Sequence, residues 1–497
     1  MTVRARSTRV RRGVALAVAG AAAAASLACA PSASADPLDD GQWWRAAMGV
    51  DELHRTGAGQ GVTVAVIDGP IDSSVPELRG RVASSSTECL TRDGDRRAAT
   101  LRGPEAGHAT SMASLIVGSG KGTTAGGRGI SGIAPRATLR HYAVLYARTT
   151  DGGGDGCRLD ASGLDQSGAA TARAIRQAVG DGAKVLSISL SVDYDAALVD
   201  ALLEAYRAGA IVVASTNNDT RNVFWPGIGN GVVTVTHVDA AGNLDSSALR
   251  RSPLLDFAAP GTKVAAGAWT PSGWRSDAIS DGASQATAIT AGGLAALWSA
   301  HPDATGNQVL QAAKDAIGLR AENGTYLTWF RRVGQDLPRS AGKTESYGFG
   351  IFSPADAVRL DVAALPDTNP MVVDRGVVSP TAAQIAAVVG AASASTASPS
   401  TPTSASPSAS AAATAIEETR PAGADEAADA GSPLRVWALA GLLALALATA
   451  VLVLSRRRRA RRSDGAHDLA SPSVSHDPTT ATDGVAATMK EHSHGGS

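Results

Sequence analysis

Cysteine is scarce in this chain: three in 497 residues, at Cys29, Cys89 and Cys157. So few thiols exclude a disulfide-built scaffold and a four-thiolate zinc site. An excess of either charge is missing too, with 45 Lys and Arg against 46 Asp and Glu and a formal net charge of -1. A duplex-binding surface shows in a sequence as a basic domain, so this balance argues against a nucleic-acid binder. Charged residues make up only 18% of the chain and hydrophobic ones 44%. That composition excludes wholesale disorder, and the length is ample for one large core with appendages.

The two ends read as targeting and anchoring segments. Residues 1–35 carry Arg4, Arg6, Arg9, Arg11 and Arg12, then an alanine-rich apolar run, then Ala33-Ser34-Ala35 ahead of Asp36. A basic start, an apolar stretch and a small-x-small site are the three parts of a secretory signal peptide, so 1–35 is excluded from the fold. Cys29 would leave with it. The remaining pair in an exported chain, Cys89 and Cys157, predicts one disulfide, with two unpaired thiols as the alternative. Toward the other end, 436–454 has no charged residue, and as a helix it would be about 28 Å long, close to the thickness of a bilayer's hydrocarbon core. The run RRRRARR at 456–462 then reads as the cytoplasmic stop of the positive-inside rule rather than as a nucleic-acid patch. One transmembrane helix is therefore expected at 434–455, with a cytoplasmic basic stop and disordered tail over 456–497. In that tail His492 and His494 have no further ligand near them, and no metal site is expected. Residues 366–433 read as a linker, Ala/Ser/Pro-rich and disordered from about 391, because such composition cannot bury enough apolar surface to offset its ordering entropy.

Between these ends, 36–365 has the pattern of a folded domain. The runs 62–67 (VTVAVI), 184–190 (KVLSISL), 210–215 (AIVVAS) and 231–238 (GVVTVTHV) are nearly continuous in apolar residues, as strands buried on both faces are. Helix-period stretches at 169–179 and 284–299 alternate with them. Alternation of this kind predicts an α/β fold, a parallel sheet with helices on both faces, whose chemistry gathers beyond the carboxyl ends of the strands. Asp68 stands at such an end, before the strand-breaking Gly69-Pro70. His108 opens an apolar helix pattern, and Ser284 lies just ahead of another. Singly these read as a turn former, an isolated histidine and an N-cap.

Together, in the order Asp, His, Ser, the three resemble the motif regions of the subtilisin-like serine proteases. VAVID ends at Asp68, Gly107-His108-Ala109-Thr110 opens the second, and Gly282-Ala283-Ser284-Gln285-Ala286 forms the third. Further segments extend the resemblance over roughly 51–364: 185–190 is similar to the family's substrate-pairing strand, 212–219 (VVASTNND) to its oxyanion segment, and 256–261 (DFAAPG) and 347–357 (YGFGIFSPADA) to two others.

The resemblance implies roles that the chemistry makes intelligible. A serine hydroxyl is a poor nucleophile at neutral pH, so an imidazole must take its proton and a carboxylate must orient that imidazole. Ser284, His108 and Asp68 fall to these roles. Asn218, with the backbone N–H of Ser284, would stabilise the oxyanion, Asn217 being the adjacent alternative. Ser189 and Leu190 would bind extended substrate through main-chain hydrogen bonds. No cofactor and no metal are implied, and the partner is a protein or peptide substrate.

Several positions depart from the family pattern. Ala109 and Asn217 replace Gly, Ala283 replaces Thr, Ala288 replaces Pro, Ser191 replaces Gly, and Asp68 is followed by Gly-Pro rather than Thr-Gly or Ser-Gly. None removes a proton-transferring group, but together they suggest tuned or weak activity. The layout of signal, protease domain with a Trp-containing lead-in, tether, single span and arginine stop resembles the mycosins, membrane-anchored proteases of actinobacterial type VII secretion systems. It implies an extracytoplasmic catalytic domain on the cell membrane, with secretion-system membrane components as possible partners. A second reading keeps the domain as a catalytically weak or inactive docking component of such an assembly. An Asp- and Gly-rich insert at 147–168 lacks regular calcium-ligand spacing and reads as solvated turns.

Overall fold

Nearly every residue of the four apolar runs lies in or beside a strand, and these strands form the middle of an eight-stranded sheet in the computed structural model, which describes residues 36–146, 156–160, 166–218, 222–245, 252–318, 343–374 and 379–396. In chain order the strands are β1 (Thr63–Asp68), β2 (Val82–Thr87), β3 (Thr138–Ala143), β4 (Val185–Ile188), β5 (Ile211–Ser215), β6 (Val233–Val238), β7 (Phe257–Pro260) and β8 (Gly350–Ile351). Their spatial order is β8-β7-β6-β5-β4-β1-β3-β2, and every pairing is parallel. The order reverses at β1, which lies between β3 and β4; in open parallel sheets such a switch point opens a crevice at the carboxyl edge.

Successive residues of a strand point to opposite faces, so a strand buried on both sides needs apolar residues at every position. β1 shows this: Val64 and Val66 join one apolar cluster, Ala65 and Ile67 the other. The first cluster lies under helices α1 (Gly107–Val117) and α4 (Ala283–Ala300), the second under α2 (Ser167–Gly180) and α3 (Ala196–Arg207). Helix α4 is buried around nearly its whole circumference, which explains its alanine-rich, apolar sequence. It crosses α1 at Gly292, where an added Cβ would stand 2.3 Å from the Ile133 side chain and 3.5 Å from Ile116 Cα. A side chain at 292 would displace Ile133, so the glycine keeps room for the segment that follows α1.

The lead-in is part of this core. Short helices Pro37–Gly41, Trp43–Ala47 and Val50–Leu53 bury Leu38, Trp44, Met48, Val50 and Leu53 completely. The Cys89–Cys157 disulfide is formed, closing a sequence separation of 68 residues and tying residues 156–160 to the loop that precedes α1. A cross-link over a loop of that length stabilises by about 4 kcal/mol in the chain-entropy account.

Packing continues past Leu365, where the sequence reading begins a linker. The Asn230 amide donates to Val373 O at 3.0 Å and accepts from Val373 N–H at 2.8 Å. A fifth helix, α5 (Ala382–Thr396), lies against α3, with Ile385, Val388 and Val389 joining the apolar cluster on that face. Those three sit at i, i+3 and i+4, the spacing of one helix face. An alanine-rich composition hides that stripe. Residues 1–35, most of the insert at 147–168, the tether from 397, the 434–455 span and the 456–497 tail lie outside the described residues. Among the described residues no helix is long and apolar enough to cross a membrane.

Because Trp44 is fully buried beneath the lead-in, Trp44→Ala is expected to cost about 3–5 kcal/mol of stability. Urea denaturation followed by far-UV circular dichroism measures it; an unchanged midpoint would detach the lead-in from the core.

Candidate active site

Three neighbouring strands deliver three of the expected site segments to one edge. β1 ends in Asp68, β4 runs into Ser189 and Leu190, and β5 runs into Asn217 and Asn218. Parallel register places their carboxyl ends side by side, with Ile188 opposite Ala214 and Val66 opposite Ser187. Helices α1 and α4 start at this edge and bring His108 and Ser284 in their first turns.

Asp68 is 1% exposed. A carboxylate there must be hydrogen-bonded or it becomes costly. The Gly69 N–H donates to its Oδ1 at 2.7 Å, and His108 Nδ1 lies 2.8 Å from Oδ1 and 2.9 Å from Oδ2. The carboxylate thus fixes the imidazole tautomer, with the proton on Nδ1. Burial pulls the His108 pKa down, but the Asp68 charge and hydrogen bond outweigh it, and the pKa stands above the ordinary 6.5. The imidazole remains 42% exposed, so its other nitrogen is reachable from the cleft.

Ser284 is one of the few positions of α4 that are not fully buried, and Gly282 rather than Ser284 is the cap residue. Ser284 Oγ donates to Ser189 O at 3.2 Å, while Ser189 Oγ donates to Ser284 O at 3.1 Å. This reciprocal pair joins the end of β4 to the start of α4. Ser284 Oγ makes no hydrogen bond to His108 among the described residues; the structure joins Asp68 to His108 and Ser284 to Ser189.

Asn218 is held in a defined orientation. Its Oδ1 accepts from the Ala283 N–H at 2.9 Å, and since a backbone N–H can only donate, the amide is oriented with Nδ2 as its donor, which has no hydrogen-bond partner among the described residues. Asn217 contributes differently: it adopts φ 70° and its Oδ1 accepts from the Asn218 N–H at 2.7 Å. Asparagine tolerates this left-handed region better than other side chains, which accounts for the loss of glycine there. The alanines at the other departures, Ala109, Ala283 and Ala288, are buried with their methyl groups in the core.

The strand ladder stops at Ile188, and Ser189 and Leu190, 5% and 8% exposed, lie beyond it. Three residues on, Val192 N–H donates to Trp225 O at 2.9 Å. Trp225 stacks on Tyr194 at 5.4 Å between ring centroids, and Tyr194 and Phe224 are exposed. No local pattern in the sequence marks these aromatics; the chain crossing brings them beside the substrate segment. His141, in a strand that also carries Thr138 and Arg140, escapes sequence reading as well and lies fully buried, with its Nε2 on the carbonyl of the residue after Asp68. Among the described residues no group of three or more His, Cys, Asp or Glu side chains is placed to hold a metal ion.

The sequence model of the Subtilase family matches residues 59–350, more than half of the chain. A subtilisin of Bacillus sp. (strain TA39) is 26% identical over 313 residues, 58% of this chain and 68% of that one. Among solved structures, fervidolysin from Fervidobacterium pennivorans, described as a keratinolytic enzyme related to subtilisin, is 20% identical with a TM-score of 0.49, covering 67% of this chain and 49% of that one. MycP1 from Mycobacterium smegmatis is 20% identical with a TM-score of 0.47, covering 67% and 88%. With a family match that takes in strands β1 to β7 and both site helices, the chain belongs to the subtilase family of serine peptidases.

Proposed function

We propose that this chain is a serine endopeptidase that hydrolyses peptide bonds of exported proteins with Asp68, His108 and Ser284 as its triad. The carrying observation is the buried Asp68 carboxylate bonded through both oxygens to His108 Nδ1, which leaves Nε2 as the proton acceptor. On substrate binding, Ser284 Oγ exchanges its bond to Ser189 O for one to His108 Nε2, and attacks the scissile carbonyl as Nε2 takes its proton. Hydrogen bonds of this kind are often loose before substrate arrives. The Asn218 amide and the Ser284 backbone N–H receive the developing oxyanion. His108, now an imidazolium stabilised by Asp68, returns the proton to the leaving amine, and water repeats the cycle to release the acyl group. Ser189 and Leu190, beyond the end of the ladder, offer main-chain groups to an extended peptide.

We further propose that the protease is held on the outer face of the cell membrane by the 434–455 span and serves a type VII secretion system. Support for this lies in the sequence layout: signal peptide, tether, uncharged run and arginine stop. The bond of Ser284 Oγ to Ser189 O favours, as the second reading, an inactive docking domain.

A fluorophosphonate probe separates the two: the wild type is expected to be labelled and Ser284→Ala not, whereas an unlabelled folded wild type favours docking. Asn218→Ala is expected to retain label while losing roughly 10²–10³ in kcat, as loss of such a donor does in this family. The pH profile follows from the sign of the His108 shift. Only the neutral imidazole can act as base, and its pKa is raised above 6.5, so the acid limb of kcat/KM is expected above pH 6.5 and is to move lower in Asp68→Asn. Carbonate extraction of membranes tests the anchor: the full chain should stay in the pellet, and a chain ending before 434 should not.

A further inference from the structure

Strand β3 runs beside β1 with His141 opposite Val66 and Ala143 opposite Asp68. His141 is fully buried, and its Nε2 stands 2.7 Å from the carbonyl oxygen of Gly69. A carbonyl only accepts, so Nε2 carries the proton. Nδ1, also buried, has no hydrogen-bond partner among the described residues. Burial drives the pKa down to about 4 against the opposing pull of the Gly69 bond and the Asp68 charge, so the ring is neutral at ordinary pH. An imidazole with half of its polar capacity unsatisfied is a costly occupant of an apolar layer, where an aliphatic side chain would leave no orphan. The bond to Gly69 is what distinguishes it from such a side chain.

Gly69 has an unusual burden. Its N–H is the backbone donor to Asp68 Oδ1, and the next residue, Pro70, has no N–H to offer. Residue 69 has no side chain, and glycine is the residue least able to hold its own dihedral angles. Its N–H is held on Asp68 Oδ1 within the Asp68–Gly69 peptide, whose carbonyl accepts from the Val144 N–H at 2.8 Å, while the following peptide is held through the Gly69 C=O on His141. If the Gly69 C=O were released, the turn after β1 would be free to shift about the Gly69 dihedral angles, and the carboxylate that the Gly69 N–H meets would be less firmly aligned with His108 Nδ1.

We propose that His141 is a positioning residue of the active site, holding the Gly69 peptide so that Asp68 keeps the orientation that orders His108. This rests on the triad roles proposed above. The test compares two amides of different reach in the full-length chain. His141→Gln places its amide nitrogen near the position of Nε2, whereas in His141→Asn it falls short at the position of Nδ1.

Three properties are measured: kcat and KM on a peptide substrate, thermal melting, and the low-field proton resonance of His108 Nδ1–H against Asp68. His141→Gln is expected to keep the wild-type resonance and kcat. His141→Asn is expected to lose roughly 10-fold or more in kcat at unchanged KM, as small misplacements of catalytic groups do, with the resonance shifted or broadened. His141→Leu is to behave as the Asn variant and replaces it if Asn does not melt cooperatively. Equal behaviour of Gln and the donor-less variants, in either direction, would overturn the proposal. The resonance depends on the His108–Asp68 pair and not on turnover, so a wild type that shows the signal without proteolysis defeats the functional reading and still leaves His141 decided by the signals alone.

Discussion

With 1% exposure, the Asp68 carboxylate has no bulk water to solvate it, and a buried charge without partners is among the most costly features a fold can carry. Two donors meet it, the Gly69 N–H and His108 Nδ1, and they come from separate segments: one from the turn that ends β1, the other from the first turn of α1. The surrounding architecture follows from keeping both in place. β1 must end at the switch point of the sheet, α1 must begin above it, and the face of α1 away from the cleft must be buried to fix its position, as residues 109–117 are.

The same requirement extends to α4. Its nearly all-round burial and the close crossing at Gly292 set the helix start within reach of β4 and β5. There the reciprocal Ser189–Ser284 bonds and the Asn218–Ala283 bond join three separate pieces of chain. Each of these pairs one side chain with a backbone group of another segment. The departures from the family pattern are absorbed locally by this arrangement: Asn217 adopts the left-handed backbone that a glycine would otherwise supply, and the alanines pack into the core. These positions account for the altered motif flanks without loss of any proton-transferring group.

The sheet was legible because burial on both faces imposes an unbroken apolar pattern, and 64–67 or 211–214 can hardly be anything but inner strands. Asp68, His108 and Ser284 were legible as candidates because each stands at a strand end or a helix start and the three together follow the order of the family's motif regions. Residues whose importance comes from contact across the chain left no such mark. His141 looks like one more polar residue in β3 beside Thr138 and Arg140, Trp225 and Phe224 like ordinary loop residues, and the stripe of Ile385, Val388 and Val389 is submerged in alanine.

By itself, the sequence determined the four inner strands, the helix patterns that open near 108, 169 and 284, the parallel α/β class and the candidate chemical groups, because these depend on local periodicity and residue type. Only the tertiary structure decided that His108 Nδ1 rather than its other nitrogen faces Asp68, that Asn218 Oδ1 accepts from the Ala283 N–H, that Ser284 Oγ rests on Ser189 O, and that packing continues past Leu365 to α5. Those outcomes are set by distances of about 3 Å between groups far apart in the chain, and a one-dimensional pattern carries no information at that scale.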